Sequence, residues 1–444
     1  MTQRSNASAK LYIGTKLSLT LLLAVTAVGY APLVQAADIT IEKAAPRSNL
    51  QVAIVPFAGA ESISSIISND LTNLGQFSLD NNLPERPHSS GEVTLPVWQH
   101  KAVPYLVVGN TRTNRGDVEI NFEVINVGTG EVMQGAQQVK TKNNPQALRL
   151  AGHKVADKIY EILTGIKGDF SGKIAYVIES GTPKNRVSRL VVSDVDGYNP
   201  QIIQTVNNGT IKALTPSANG RTFTYTVQQA GYPVVYSADV MGGGVTNLTP
   251  FKANNLGASV GPDGSVIFSS DFEGGKPQIY LASGGTPRRL TNDPVGAIFP
   301  SWAPDGRSFV FTSDRNGNNR GQVFRYNMGS GSVQQLTRGG LNSMGRISND
   351  GKKMSYLAGT NQGMVMDLAS GSATGVNNVG LSEAPGISPN GQHYIYSSRN
   401  VITIVSNGKT VSISPSQNGV PNGTIYGPIW LNPEANNSQT NPVR

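Results

Sequence analysis

A serine flanked by glycines is the first group in the 444-residue chain whose type and spacing could support a reaction. Residues 257–261 read Gly-Ala-Ser-Val-Gly and fit the nucleophile elbow, in which a serine occupies a sharp turn between a strand and a helix. No helical pattern follows Ser259, and this serine is in register with Ser301 of a neighbouring repeat. We therefore interpret Ser259 as part of an ordinary β segment.

The residues that could bind a metal ion or a phosphate are scattered along the chain. Histidines at metal-ligand spacing would suggest a metal site, but the histidines are isolated: His88, His100, His153 and His393. Residues 194–197 and 314–317 resemble fragments of a calcium loop without its downstream bidentate acid, and residues 274–276 lack the other parts of a phosphate-binding loop. The chain contains no cysteine, which excludes disulfides and thiolate sites. The sequence thus predicts no catalytic residue and no cofactor.

The N-terminus predicts export. Arg4, Lys10 and Lys16 precede or flank the apolar stretch 17–28, and Val-Gln-Ala at 34–36 provides small residues ahead of a cleavage position. These features predict a signal peptide over residues 1–36. An uncleaved membrane anchor is the alternative, but the apolar stretch is short for a membrane span.

The charge of the mature chain is modest. Removing the three basic residues of the leader takes the formal net charge from +8 to +5, and no run of Lys and Arg occurs. We therefore expect no nucleic-acid binding. No stretch outside the leader could cross a bilayer, so we also expect no direct insertion into a membrane.

Residues 37–167 alternate strand and helix signals and predict a small α/β domain. Apolar runs predict strands at 52–55 and 105–108, and alternation predicts one at 118–124 with a partner from 131 to 139. Helical spacing between Ile63 and Leu74, and again after Asn144, predicts two main helices. The stretch 81–96, rich in Pro, Ser and Glu, is predicted to be a surface loop.

A turn signature repeats through the rest of the chain. Its copies are the Asn-Gly or Asp-Gly turns 218–220, 262–264, 304–306, 349–351 and 389–391, with glycines 44, 42, 45 and 40 residues apart. Only 14% of residues are charged while Gly and Pro number 50 and 26, a composition that favours short strands joined by tight turns. A β-type period of this length predicts the four-stranded blades of a propeller.

The two ends of the repeat array complement each other. The first unit, 174–205, has signals for three strands, whereas Gly-Pro-Ile-Trp at 427–430 matches Phe-Pro-Ser-Trp at 299–302. The C-terminal segment can therefore supply the missing strand and close a six-bladed β-propeller over residues 168–433, ahead of a flexible tail at 434–444. A solenoid is the alternative, but it would need capping repeats. The central channel of a propeller could hold a cation weakly.

Two short segments at the domain junction point to a known family. Residues 163–168 read Leu-Thr-Gly-Ile-Lys-Gly, and residues 193–199 read Ser-Asp-Val-Asp-Gly-Tyr-Asn. Together with the order of leader, α/β domain and propeller, they resemble the TolB family of the Tol–Pal system. The resemblance implies a periplasmic, non-enzymatic protein that binds the Pal lipoprotein at one mouth of the propeller and TolA through its mature N-terminus. It implies a role in outer-membrane integrity and constriction during cell division, and a mouth that some bacteriocins exploit.

The loops that join successive blades gather on one face of a propeller and could form the Pal-binding mouth. Residues in these loops are the predicted contacts: Asn254, Asn255, Leu256, Leu341, Asn342, Met344 and Glu383. Glu383 lies in a stretch that resembles the acid-x-Pro loop of the family. Asn254 stands where the family often carries a histidine, and the tryptophan before the turn occurs only at Trp302. Each of these residues could instead be an ordinary loop residue.

The start of the mature chain is the candidate TolA-binding segment. Its residues are Asp38, Ile39, Thr40, Ile41 and Glu42, whose alternation would allow them to add a strand to the edge of a partner's sheet. The same residues could instead form the first strand of the domain, and alternation between the two states would make the segment a switch.

Two other functions are compatible with a propeller. A propeller-associated peptidase would need a Ser, His and acid set that the N-terminal domain does not show. A propeller that binds sugars or other small ligands is suggested by the polar loops. A closed propeller has no free edge that demands a partner, so we expect a monomer.

Overall fold

The computed structural model describes residues 50–73, 77–282, 286–317, 320–376, 381–406 and 408–433. The predicted signal peptide at 1–36, the segment Asp38 to Glu42 and the tail at 434–444 lie outside the described residues.

The N-terminal domain is a five-stranded mixed sheet with helices packed on it. Its elements are β1 Leu50–Ile54, α1 Glu61–Asn73, β2 Phe77–Leu79, α2 Leu95–Lys101, β3 Tyr105–Asn114, β4 Asp117–Asn126, β5 Gln137–Lys142 and α3 Pro145–Thr164. The strand order is β2-β1-β3-β4-β5, with β1 parallel to β2 and β3 and the other pairs antiparallel. The predicted α/β domain is confirmed.

The sequence determines both ends of α3. The Asn144 side chain accepts a hydrogen bond from the Ala147 N–H at 2.9 Å, and Pro145 occupies the first turn, where no intrahelical donor is needed. Gly165 ends the helix at a φ of 73°, and its N–H donates to the Glu161 carbonyl. Val155 and Ile159 of its apolar stripe are fully buried, as predicted, and Leu148 at the start of the stripe is partly buried.

Two local predictions in this domain are wrong. The predicted loop 81–96 contains a 3₁₀ turn, Ser90–Glu92, and the start of α2, because Trp98 is fully buried and its Nε1 donates to Glu85 at 2.6 Å. A seven-residue helix is too short to show a clear period. The predicted strand at 131–139 starts late, at Gln137, because left-handed backbone at Gln134 and Gly135 interrupts the extended conformation.

The remaining strands form six antiparallel sheets of four strands each. They are β6 Lys173–Ser180, β7 Val187–Asp194, β8 Gln201–Asn207, β9 Thr210–Pro216, β10 Thr222–Gln228, β11 Val234–Asp239, β12 Val245–Asn247, β13 Asn255–Val260, β14 Val266–Ser270, β15 Gln278–Ala282, β16 Arg288–Arg289, β17 Ala297–Trp302, β18 Ser308–Ser313, β19 Gln322–Asn327, β20 Val333–Gln335, β21 Asn342–Ile347, β22 Lys353–Ala358, β23 Gln362–Asp367, β24 Ala373–Gly375, β25 Gly386–Ile387, β26 His393–Ser398, β27 Val401–Ser406, β28 Lys409–Ile413 and β29 Thr424–Leu431.

The blades follow one another in a closed ring. Blade 1 combines β29 with β6, β7 and β8, and blades 2 to 6 take β9–β12, β13–β16, β17–β20, β21–β24 and β25–β28 in turn. The C-terminal β29 pairs with β6 from Thr424 opposite Glu179 to Leu431 opposite Lys173. The predicted six-bladed propeller closed by the C-terminal strand is therefore confirmed.

The two domains share one apolar core. Tyr160 of α3 makes an edge contact with Phe170, with ring centroids 5.4 Å apart, and both belong to a cluster that continues to Trp430 of β29. Trp430 stacks on His393 at 5.7 Å and donates from its Nε1 to the Asp169 carbonyl at 3.3 Å. The closing strand thus also holds the propeller against the N-terminal domain.

Candidate functional site: the mouth of the propeller

The strand order determines which loops share a face. The inner strands β9, β13, β17, β21, β25 and β29 all begin at the same end of the ring, so the loops that precede them lie there. Because the strands are antiparallel, the loop between the second and third strands of each blade lies at that end too. We call this end the mouth face. Its described loops include 181–186, 208–209, 229–233, 248–254, 271–277, 290–296, 314–317, 320–321, 336–341, 359–361, 381–385 and 399–400.

A cavity of about 540 Å³ opens on the mouth face. The inner strands and the residues just before them form much of its lining, and β6, β10 and the loops after them supply the rest. The apolar part of the lining includes Leu256, Phe299, Met344 and Tyr426. Lys212 and Glu383 are among its charged residues. All six blades therefore build one concave site, as expected where loops of a rigid scaffold converge.

Five of the inner strands carry a β-bulge at or beside this cavity. The strand register shifts at each bulge, and a residue with positive φ occupies it: Ala213, Gly257, Phe299, Met344 and Gly427. A bulge bends the strand and redirects a side chain. Phe299 and Met344 adopt φ values of 52° and 57°, which are unusual for non-glycine residues and concentrate at functional sites. The sequence showed the Phe-Pro-Ser-Trp run at 299–302 but not the bulge.

The structure brings together four of the seven predicted mouth residues as lining or rim. Leu256, Met344 and Glu383 line the cavity, and Leu341 lies on the rim with 37% of its surface exposed. Asn254 is also exposed, and its side chain donates to Asp271 Oδ2 at 2.7 Å.

The structure corrects the predicted role of Asn255 and Asn342. Both are buried, with exposures of 0% and 5%. Asn255 Nδ2 donates to the Pro233 carbonyl at 2.9 Å, and Asn342 Nδ2 donates to Gln322 Oε1 at 3.0 Å. These side chains hold the loops from inside and offer a partner almost no surface.

Glu383 lies inside the central channel of the propeller, which we call the bore, and not on the exposed rim. Its Oε1 accepts a hydrogen bond from the Ala213 N–H at 3.3 Å, and its Oε2 lies 3.9 Å from Arg346 Nη2. A Cβ on Gly427 would lie 2.4 Å from this carboxylate, so only glycine fits there without a shift. Burial raises the pKa of Glu383, although the Arg346 charge opposes the increase. The carboxylate therefore ties blades 2, 5 and 6 together across the channel.

Ser259 has a structural role. It lies in β13 with 1% exposure, and its Oγ accepts a hydrogen bond from the Trp302 N–H of the next inner strand at 3.0 Å. The interpretation of residues 257–261 as an ordinary blade segment is confirmed.

A second polar cluster joins the domains on the side away from the mouth. His153 of α3 contacts Asp70 of α1 at 2.7 Å, and its Nε2 lies 3.7 Å from Asp196. His153, Asp194 and Asp196 lie close enough together to hold a metal ion. However, Arg149 contacts both aspartates and Lys173 contacts Asp194. Cationic side chains thus compensate these carboxylates, and we assign no metal there; the weak cation in the channel stays a prediction.

We expect His153 to make stability depend on pH. Its burial disfavours the charged form, but the hydrogen bond and charge of Asp70 outweigh burial and raise the pKa of His153 above the ordinary 6.5. The stabilisation is therefore complete below the unfolded-state pKa and is lost as pH rises through the folded-state value. His153→Asn keeps a hydrogen-bond donor near Asp70. It should lower the free energy of unfolding by about 1–3 kcal/mol near pH 6 and by less near pH 9.

Urea unfolding at a series of pH values from about 6 to about 9 measures this difference. His100→Asn replaces an exposed histidine and is the matched control. An unchanged difference between wild type and His153→Asn at every pH would contradict the prediction.

No helix among the described residues combines the length and the apolar character that a membrane crossing requires.

Comparison with known families identifies the family to which the chain belongs. The family described as TolB amino-terminal domain matches residues 37–133, and the family described as TolB beta propeller domain matches residues 160–430. The chain belongs to the TolB family. As a member of this family, it is a component of the Tol–Pal system.

Individual TolB proteins match over nearly the same range. The chain is 32% identical over 398 residues to the "Tol-Pal system protein TolB" of Bordetella pertussis, covering 85% of this chain and 87% of that one. The TolB of Bordetella bronchiseptica gives the same values. The crystal structure of TolB from Acinetobacter baumannii has a TM-score of 0.75 and 31% identity, covering 88% of this chain and 98% of that chain.

Proposed function

We propose that this TolB-family chain is a periplasmic, non-enzymatic adaptor that binds Pal at the mouth face and TolA through residues 38–42. The observation that carries the proposal is the cavity of about 540 Å³ that all six blades build on one face. Its apolar lining and surrounding loops suit a protein that inserts a side chain or a short loop. This adaptor would link its partners during outer-membrane constriction.

The first test is calorimetric binding of residues 37–444 to the soluble domain of Pal from the same organism. Leu256→Ala should weaken binding by about tenfold or more. Shortening this lining side chain removes apolar contacts with the inserted part of Pal and leaves a gap in the desolvated interface. Val245→Ala removes a similarly sized exposed side chain from the outer strand of blade 2 and should bind like wild type.

Two results would count against the mouth as the Pal site. Equal affinities of Leu256→Ala and wild type would mean that Pal binds elsewhere. Absence of binding by the wild-type chain would instead favour the small-ligand alternative, since the cavity volume lies within the range of small-molecule sites.

Removing residues 38–42 should abolish TolA binding and leave Pal binding unchanged. The reason is that an alternating segment can pair with the edge of a partner's sheet through its backbone, and the mouth lies in a separate part of the chain. Pull-down with the soluble C-terminal domain of TolA measures the effect, with Leu256→Ala as the control that should retain TolA. Retention of TolA by the deleted chain would refute this part of the proposal.

A further inference from the structure

The mouth face carries an excess of positive charge. Its described loops contain eight basic side chains and five acidic ones. The basic residues are Lys184, Arg186, Lys252, Lys276, Arg315, Arg320, Arg338 and Arg399, and the acidic ones are Asp271, Glu273, Asp293, Asp314 and Glu383. The hairpin turns at the opposite end, 217–221, 261–265, 303–307, 348–352 and 388–392, balance three basic residues with three acidic ones.

The acidic residues of the mouth face are engaged with the protein itself. Asp293 has no exposed side-chain surface and pairs with Arg315 at 2.8 Å, and Glu383 is held in the bore. Asp271 accepts from the Asn254 side chain at 2.7 Å, and Asp314 accepts from the Arg320 N–H at 3.0 Å. Glu273 accepts from the Tyr280 hydroxyl at 3.1 Å and lies 3.5 Å from Arg289.

Most of the basic residues face solvent instead. Lys184, Lys252, Lys276, Arg320, Arg338 and Arg399 are exposed, and Lys212 adds an exposed ammonium group to the cavity. In the part of the chain that the structure describes, none of these seven has a carboxylate within ion-pair distance. Their charges are therefore available to a partner.

Apolar side chains are exposed on the same face. Tyr232, Val295 and Leu341 have exposed fractions of 53%, 41% and 37%, although large apolar residues are usually covered. Together with the apolar cavity lining, they could anchor a protein partner, whereas a lipid surface or a polyanion would use only the charges.

We propose that the mouth face selects a protein surface on which acidic side chains surround an apolar projection. This inference rests on the proposed function and specifies the partner's chemistry. The apolar projection enters the cavity, and the acidic surround meets the ring of exposed lysines and arginines. Complementary charge of this kind speeds encounter and excludes wrong partners more than it adds affinity.

The experiment compares charge reversals on the two faces. Residues 37–444 carrying Lys212→Glu or Arg338→Glu are tested against the Pal soluble domain, with Lys352→Glu in an exposed turn of the opposite face as the matched control. Each mouth variant should bind about tenfold more weakly, mainly through a slower on-rate, and the control should stay within about twofold of wild type. Wild-type affinity should fall from about 50 mM to about 300 mM salt, and less steeply in the mouth variants.

The outcomes separate the two proposals. If wild type binds Pal and both mouth reversals bind it equally well or more tightly, the acidic-partner inference is overturned. The proposal that the chain binds Pal then still stands. Absence of wild-type binding at any salt concentration overturns both. Binding to anionic lipid vesicles that the mouth reversals abolish, without binding to Pal, would assign the basic ring to a membrane surface and also overturn the inference.

Discussion

A chain that ends at residue 423 is expected to lose the cooperative fold of the propeller. The truncation removes β29, which supplies the inner strand of blade 1 and six residue pairs with β6. Four apolar residues of this strand, Ile425, Ile429, Trp430 and Leu431, are at most 4% exposed. Burying large apolar side chains contributes about 2–3 kcal/mol each, so the loss approaches the total stability of a typical domain, about 5–15 kcal/mol.

The lost strand also leaves unsatisfied partners behind. The β6 edge would face the bore with its backbone groups unpaired, which favours aggregation. The Asp169 carbonyl and the His393 ring would lose Trp430 at the domain boundary. The N-terminal domain should therefore lose stability together with the propeller.

Circular dichroism with thermal and urea unfolding measures this effect. A chain ending at Pro433 keeps β29 and is the control, which should unfold like the full-length protein. A single cooperative transition at the wild-type midpoint for the chain ending at residue 423 would refute the assignment of β29 as the essential closing strand.

Arg346→Met is expected to lower the free energy of unfolding by about 3–5 kcal/mol, because it leaves the Glu383 carboxylate uncompensated in the bore. Arg346 is 8% exposed, and besides facing Glu383 its Nη1 donates to the Ala384 carbonyl at 3.4 Å. Burial lowers the pKa of Arg346 and raises that of Glu383, so each charge depends on the other. Adding Glu383→Gln should restore most of the loss, since a neutral amide removes the buried charge.

The effect of Arg346→Met should also depend on pH. Because the pKa of Glu383 is raised above its ordinary 4.5, the folded state binds a proton more readily than the unfolded state. Acidification then neutralises the unpaired, buried Glu383 carboxylate, and the deficit of Arg346→Met should shrink as pH falls.

Urea unfolding of the single and double variants completes this double-mutant cycle. Arg338→Met, which neutralises an exposed arginine of the mouth face, should stay within about 0.5 kcal/mol of wild type. A double variant as unstable as Arg346→Met alone would show that the loss has another origin than the buried carboxylate.

Local sequence was sufficient for features whose cause lies within a few residues. Asn144, Pro145 and Gly165 marked the ends of α3 because capping depends on neighbouring backbone groups. The Asp-Gly and Asn-Gly turns marked the blades because left-handed glycines such as Gly264 and Gly306 are required there. The α2 helix escaped prediction, since its Trp98 is buried by contacts made far along the chain.

The sequence by itself therefore determined the two domain types, the blade count and the strand that closes the ring, whereas the leader stays a prediction. These features follow from the period of the repeat, the residue types of the turns and the matching terminal segments. All three can be recognised in the sequence without knowing which side chains pack together. Only the tertiary structure decided what the mouth presents: that Asn255 and Asn342 point inward, that Glu383 crosses the bore to Arg346, and that unpaired lysines and arginines surround an apolar cavity. The physical reason is that burial and charge pairing depend on residues from different blades, and closure of the ring alone brings them together.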